Sequence, residues 1–310
     1  MNPWTAANVA ASRAAVKLTM LDRLKDGERA NSVACRVWGT PDEVPLPLFR
    51  ALQHAGAVLV GAEEADGRLV GVAIGFFGIA KGPHVHSHLV AVLPEAQGRG
   101  IGRALKLGQR AACLAVGIDE VRWTYDPLLR RNAWFNLQSL GATAIRFLPE
   151  FYRPMNDLLN EGDRGDRFEV SWDLSSATVG RQLGGGGMEV PGATSGQKEG
   201  VEHGTLPLVS VIVLEAGSDN GRPVLHEPVL ESADQALLAI PANYQELRQT
   251  TVALARTWRE TSSVAFTRCF AAGMVATGIS RDGIYLFARP PRERQSSATV
   301  EWPTPRLANS

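Results

Sequence analysis

Cysteine is scarce in this sequence: its 310 residues hold three, Cys35, Cys113 and Cys269. Thiols so few and so far apart build neither a disulfide framework nor a thiolate zinc site. They read as buried, reduced side chains, and a cytoplasmic location is expected. An excess of charge is also missing, with 32 Lys and Arg balanced by 32 Asp and Glu. General nucleic-acid binding needs clustered positive charge, so no nucleic-acid partner is expected. No apolar run approaches the roughly 20 residues of a membrane span, and no membrane partner is expected. The first dozen residues lack the basic-then-apolar order of an export signal.

What is present is an ordinary core-forming composition, 45% hydrophobic and 21% charged, in a chain long enough for roughly two domains at about 150 residues each. The stretch Ser175–Thr205 has nine glycines among its 31 residues and no aromatic. It reads as a flexible linker, because it buries too little apolar area to offset its ordering entropy. The expected division is therefore a first domain over 1–174, the linker over 175–205, a second domain over 206–290 and a tail over 291–310. In the first domain, strands are expected at Ala14–Leu21, Ala57–Glu64, Arg68–Phe77, Val85–Leu93, Glu120–Tyr125, Thr143–Leu148 and Phe168–Leu174. Helices are expected at Asp22–Trp38, Leu46–His54, Arg103–Val116 and Arg131–Leu140. That alternation predicts a mixed α/β sheet. The second domain reads as α+β: strands Leu208–Leu214 and Ala236–Ile240, a long or broken helix Tyr244–Ala272, and a hairpin Met274–Ser280/Gly283–Ala288.

Between a strand and a helix lies Gln97-Gly98-Arg99-Gly100-Ile101-Gly102. Its glycines let the chain turn tightly and let a ligand approach the amides, and the helix that follows begins with unpaired N–H groups and a positive dipole end. Arg99, Arg103 and Lys106 add positive side chains suited to a diphosphate. The spacing departs from the dinucleotide and P-loop patterns. The run Val92-Leu93-Pro94-Glu95-Ala96-Gln97-Gly98-Arg99-Gly100-Ile101-Gly102 resembles the acyl-CoA signature of the GNAT acyltransferase superfamily. Trp123-Thr124-Tyr125-Asp126-Pro127-Leu128, Asn132-Ala133, Phe135-Asn136-Leu137, Leu140-Gly141-Ala142, Asp166-Arg167-Phe168 and Trp172 are similar to a two-domain group within it.

The resemblance implies a GNAT fold followed by a smaller α+β domain, and acyl transfer from coenzyme A to an amine, with acetyl-CoA as co-substrate and no metal. It implies that the amides of Gln97, Gly98, Arg99, Gly100, Ile101 and Gly102 hold pyrophosphate. Backbone groups at Val90 and Val92 would hold pantetheine and thioester. Asn132 or Asn136 would contact the pantetheine arm; helix capping is the alternative for each, and Asn132, at a helix start, suits either role.

An ammonium acceptor must lose a proton before it attacks a thioester. His84-Val85-His86-Ser87-His88 places three imidazoles at alternate positions of a strand, and histidine titrates nearest neutrality. His86 and His88 fall where arylalkylamine N-acetyltransferases carry a His-x-His pair. Proton relay, plain hydrogen bonding and metal ligation all remain open for this spacing. Glu63 and Glu64 are alternative bases. Many GNAT enzymes protonate the leaving thiolate with a tyrosine on the helix at Arg131–Leu140. This helix has none, which leaves Tyr125, Tyr152 or departure of the thiolate unassisted to water. The acceptor is expected to be a small-molecule amine, and a homodimer is compatible with the pattern. Two other readings are succinyl transfer to an amino acid and a non-catalytic acyl-CoA-binding sensor or assembly module.

Overall fold

The computed structural model describes residues 2–39, 44–152, 163–183, 209–218 and 221–290. Most of the expected linker and the whole expected tail lie outside them. The chain resolves into two units, one reaching to Arg122 and the other spanning Trp123–Pro290. No described helix is long and apolar enough to cross a membrane.

The first unit opens with a helix that the sequence reading lacks, α1 (Pro3–Arg13). Asn2 caps it by accepting from the Trp4 amide at 2.9 Å, and Pro3 occupies the first helical position, where its missing N–H costs nothing. Next come β1 (Lys17–Met20), α2 (Asp26–Trp38), α3 (Leu46–His54), β2 (Val58–Glu63), β3 (Leu69–Gly78), β4 (His84–Val92), α4 (Ile101–Ala115) and β5 (Glu120–Tyr125). Strands β1 to β4 pair antiparallel in chain order. β5 runs parallel to β4 at Val85–Val121 and His86–Arg122, then continues into the second unit. α4 packs on β2, β3 and β4, and α1 lies against α4 with Ala7 and Ala11 buried.

In the second unit a short helix, α5 (Arg130–Ala133), passes into a π-helical turn, Trp134–Ser139. Then follow β6 (Thr143–Tyr152), β7 (Gly165–Asp173), α6 (Ala177–Leu183), β8 (Ser210–Ala216), β9 (Pro223–Leu225), β10 (Gln235–Ala239), α7 (Tyr244–Thr250), α8 (Val252–Ala271), β11 (Val275–Ile279) and β12 (Ile284–Ala288). The strand order from β7 is β7-β6-β11-β12-β10-β8-β9. The start of the expected linker is thus helical. Ser176 caps α6 by accepting from the Val179 amide at 3.2 Å, and Val179 and Gln182 are buried.

One core joins the segments on either side of the Gly-rich stretch. β6 meets β11 at Ala144–Ala276. Around Phe168 stand the rings of Tyr125, Phe147, Phe266, Phe270, Tyr285 and Phe287, at centroid distances of 4.7–6.2 Å. α8 turns apolar side chains into this core: Phe266 is buried, and Phe270 lies 5.3 Å from Phe168. Beside this core, Arg259 of α8 grips Asp126 through two bonds of 2.9 and 2.7 Å and meets Asp163 at 2.6 Å, over the Tyr244 ring. All three cysteines are free; Cys113 of α4 and Cys269 of α8 are fully buried, whereas Cys35 is half-buried. Burial pushes the thiols of Cys113 and Cys269 up to about 11 and about 12.

Candidate active site

The motif turn follows a single 3-10 turn at Pro94–Ala96. Gly98 and Gly100 have φ of +80° and +87°, a region in which residues with a Cβ are strained. Among the described residues a Cβ at either would meet nothing within 4 Å, so these glycines serve the backbone path. The first α4 bond is Ala104 N–H to the Gly100 carbonyl at 3.1 Å, and no side chain caps the helix. The amides of Ile101, Gly102 and Arg103 thus precede the helical ladder, with the positive end of the helix dipole behind them. Gln97 ties the turn to the end of β4, its side-chain amide donating to the Val92 carbonyl at 3.1 Å.

Two of the three cations expected to face a diphosphate point elsewhere. Arg99 turns back to Glu64 at 2.6 Å and to the Ala14 carbonyl at 3.1 Å. Lys106 is buried, donating to Ser87 Oγ at 2.9 Å and to Gln109 Oε1 at 3.1 Å. Burial lowers its pKa to about 7. Arg103 is half-buried, and burial and the nearby Arg13 lower its pKa.

Strand β4 carries a β-bulge. Ile74 pairs with Leu89 and the next β3 residue, Gly75, pairs with Ser87, so His88 is the extra residue. Gly75 and Ser87 face α4, where a Cβ on Gly75 would fall 2.6 Å from Gln109 Nε2. Phe76 points the other way, and its ring lies 5.3 Å from His86 and 6.0 Å from His88. His84 joins that face, its ring within 2.7 Å of a Cβ built on Gly78. The three imidazoles therefore share one face, with His86 half-buried and His88 exposed. Beyond the bulge the side chains change sides. Val92 pairs with Gly71, whose built Cβ meets Leu105 and Ile101 of α4, and Val90 lies two residues back on the same side.

The resemblance calls for a strand, a glycine turn and a helix in this order, and β4, the turn at Gln97–Gly100 and α4 follow one another so. Residues 27–130 match the model of the acetyltransferase (GNAT) family. This stretch is a GNAT domain. No curated protein matches the chain. Among solved structures, the ribosomal-protein-S18-alanine N-acetyltransferase of Escherichia coli is 18% identical with a TM-score of 0.43, covering 52% of this chain and 96% of its own. A phosphinothricin acetyltransferase of Sinorhizobium meliloti, in complex with AcCoA, is 18% identical with a TM-score of 0.42, over 51% of this chain and 87% of its own. Naa20 of Chaetomium thermophilum, with a bisubstrate analogue, is 20% identical with a TM-score of 0.41, over 51% and 86%.

Within the GNAT domain the alternative bases are held by arginines. Glu63 accepts from Arg29 at 2.6 Å and Glu64 from Arg99 at 2.6 Å. Among the described residues no three His, Cys, Asp or Glu side chains form a metal-holding group.

The remaining candidates belong to the second unit. Asn132 is exposed on α5. Asn136, in the π turn, is buried and accepts from Trp123 Nε1 at 3.2 Å. Tyr125 is buried with its hydroxyl 3.2 Å from that of Tyr285, which donates to the Pro127 carbonyl at 2.8 Å. Burial holds the Tyr125 pKa well above the usual phenol value. Tyr152 is exposed at the end of β6, with the Arg167 guanidinium over its ring at 5.1 Å.

The sequence reading missed the bulge and the inward lysine. A signal for the first was present, because a glycine inside an apolar strand marks a bulge or a close backbone approach, and Gly75, one of three glycines in β3, stands at both.

Proposed function

We propose that the chain transfers an acyl group, acetyl in the first instance, from acyl-CoA to a primary amine by direct attack in a ternary complex. One observation carries this reading: the uncapped start of α4 follows the same bulged strand that presents His86 and His88. In the reaction the amine nitrogen bonds to the thioester carbonyl carbon, the C–S bond breaks, the amine gives up a proton and the thiolate takes one. The amides from Gln97 to Gly102 hold the pyrophosphate, and backbone groups at Val90 and Val92 steady the pantetheine end. His86 and His88 draw off the amine proton, since imidazole titrates closest to neutral pH. Of the two tyrosines, Tyr152 is exposed and can exchange protons with solvent, whereas the Tyr125 hydroxyl is sealed in the second unit's core.

The test has a binding arm and a turnover arm. Gly100→Asn and Gly100→Asp both tolerate the left-handed backbone better than most residues, and they differ in charge. Acetyl-CoA affinity, measured by calorimetry, should be roughly tenfold or more weaker in the aspartate variant than in the asparagine one. In the second arm, release of free thiol is followed with a panel of amines. Replacing both His86 and His88 with glutamine should lower kcat by roughly 10²-fold and leave acetyl-CoA affinity unchanged. Equal affinity for the two Gly100 variants would remove the pyrophosphate assignment. Binding without thiol release from any amine would leave a binding module in place of an enzyme.

A further inference from the structure

Lys106 lies one and a half turns into α4, at the flank of the stripe formed by Ile101, Leu105 and Gly108. A lysine at such a flank ordinarily reaches out to water along its own stem. Here it does the reverse, and its amine ends in the interior between Ser87 Oγ and Gln109 Oε1, at 2.9 and 3.1 Å. A leucine or methionine at 106 could fill a comparable space without desolvating an amine, and burial holds this amine's pKa down near 7. A costly group that local packing does not require is expected where function requires it.

Its surroundings show what it holds. Ser87 is the residue immediately before the extra residue of the bulge, His88, and it pairs with Gly75. A Cβ at Gly75 would stand 2.6 Å from Gln109 Nε2 and 2.9 Å from Val85 Cγ1, so any larger residue would displace these side chains. Gln109 and Ser87 are themselves buried, and Gln109 Nε2 has no hydrogen-bond partner among the described residues. Lys106, Gln109, Gly75 and Ser87 thus interlock on the α4 side of the strand at the residue where its register slips, and both imidazoles leave the opposite side there.

We propose that Lys106 is a positioning residue for proton removal: by holding Ser87 from the α4 side it fixes the bulge at His88, and with it the placing of His86 and His88. This rests on the acyl-transfer reading given above. The lysine itself touches neither substrate nor reacting atoms. The same helix begins at the pyrophosphate-holding turn, so one rigid element sets both the donor site and the base.

The probe is the full chain with Ser87→Ala, which removes one hydroxyl, and Ser87→Thr, which restores it. Lys106→Met serves as the harsher variant. With histidine-labelled protein, the ring NMR signals and titration midpoints of His86 and His88 should move in Ser87→Ala, while those of His54 and His226 stay in place. Turnover should fall about tenfold at unchanged KM for acetyl-CoA, since modest misplacement of a reacting group costs rate. Ser87→Thr should return both readouts toward wild type, and Lys106→Met should reproduce the histidine shifts. If Ser87→Ala changes only the melting temperature, with histidine signals and turnover per folded molecule intact, Lys106 is structural and the proposal is overturned. Wild-type protein that releases no thiol instead defeats the acyl-transfer reading; the histidine spectra still show whether Lys106 places the imidazoles.

Discussion

Lys106 enters the core as a group whose proton affinity differs between the folded and unfolded chain. Below pH 7 it is protonated in both, and the native state bears the whole cost of burying the charge. Between about 7 and about 10 the unfolded lysine keeps a proton that the folded one has released. The unfolded state then binds more protons, so stability rises with pH across that window. Lys106→Met abolishes this contribution. Urea denaturation at pH 6.5 and pH 9 should therefore show the wild type gaining on the variant by about 2 kcal/mol, near 1.4 kcal/mol per unit before relaxation is discounted. A constant difference at the two pH values would contradict a depressed lysine. The sequence reading set this residue among the cations suited to a diphosphate, and its inward course was not legible for a physical reason. Helical periodicity locates a side chain only to within a flank, and the acceptors that draw the amine inward, Ser87 and Gln109, include one that is 19 residues away in the chain.

Elements with strong local signals were legible. The helix read at Leu46–His54 and the strand read at Glu120–Tyr125 have those bounds in the structure, because apolar spacing and flanking prolines or glycines mark them. Elements whose signal lies in their caps were not. α1 is announced by Asn2-Pro3 and α6 by Ser176, yet one is alanine-rich and the other adjoins the glycine run, so periodicity is faint in both. The break in the long helix, expected as one of two options, falls at Thr251. The buried Arg259 could not be read from sequence, because its two carboxylates lie 133 and 96 residues away. Those bonds fasten α8 to Asp126, whose carboxylate also accepts from the Leu128 amide at 2.9 Å on the approach to α5. Arg259→Met should cost about 3–5 kcal/mol, because it leaves buried carboxylates unpaired. Adding Asp126→Asn should recover part of that loss in urea denaturation. A further loss would mean that Asp126 stabilises the loop mainly through its own backbone bond.

At the scale of the whole molecule, the residues before and after the Gly-rich stretch are not separable modules within the second unit. Four of the six rings around Phe168, namely Phe266, Phe270, Tyr285 and Phe287, come from the later segment, as does the β11 partner of β6. A chain ending at residue 174 should expose Phe147 and Phe168, bind a hydrophobic dye and release no thiol from acetyl-CoA, whereas one ending at 290 should behave as the full chain. Full turnover by the shorter chain would show that residues 1–174 fold and act alone. The buried cysteines give the two units separate voices. Cys113 lies in one and Cys269 in the other, both sealed and both with thiols too basic to react while folded. An alkylating reagent reaches each only when its own unit opens. The rates at which the two thiols are captured, counted peptide by peptide in a mass spectrometer, therefore time the opening of each half independently within one unmodified chain.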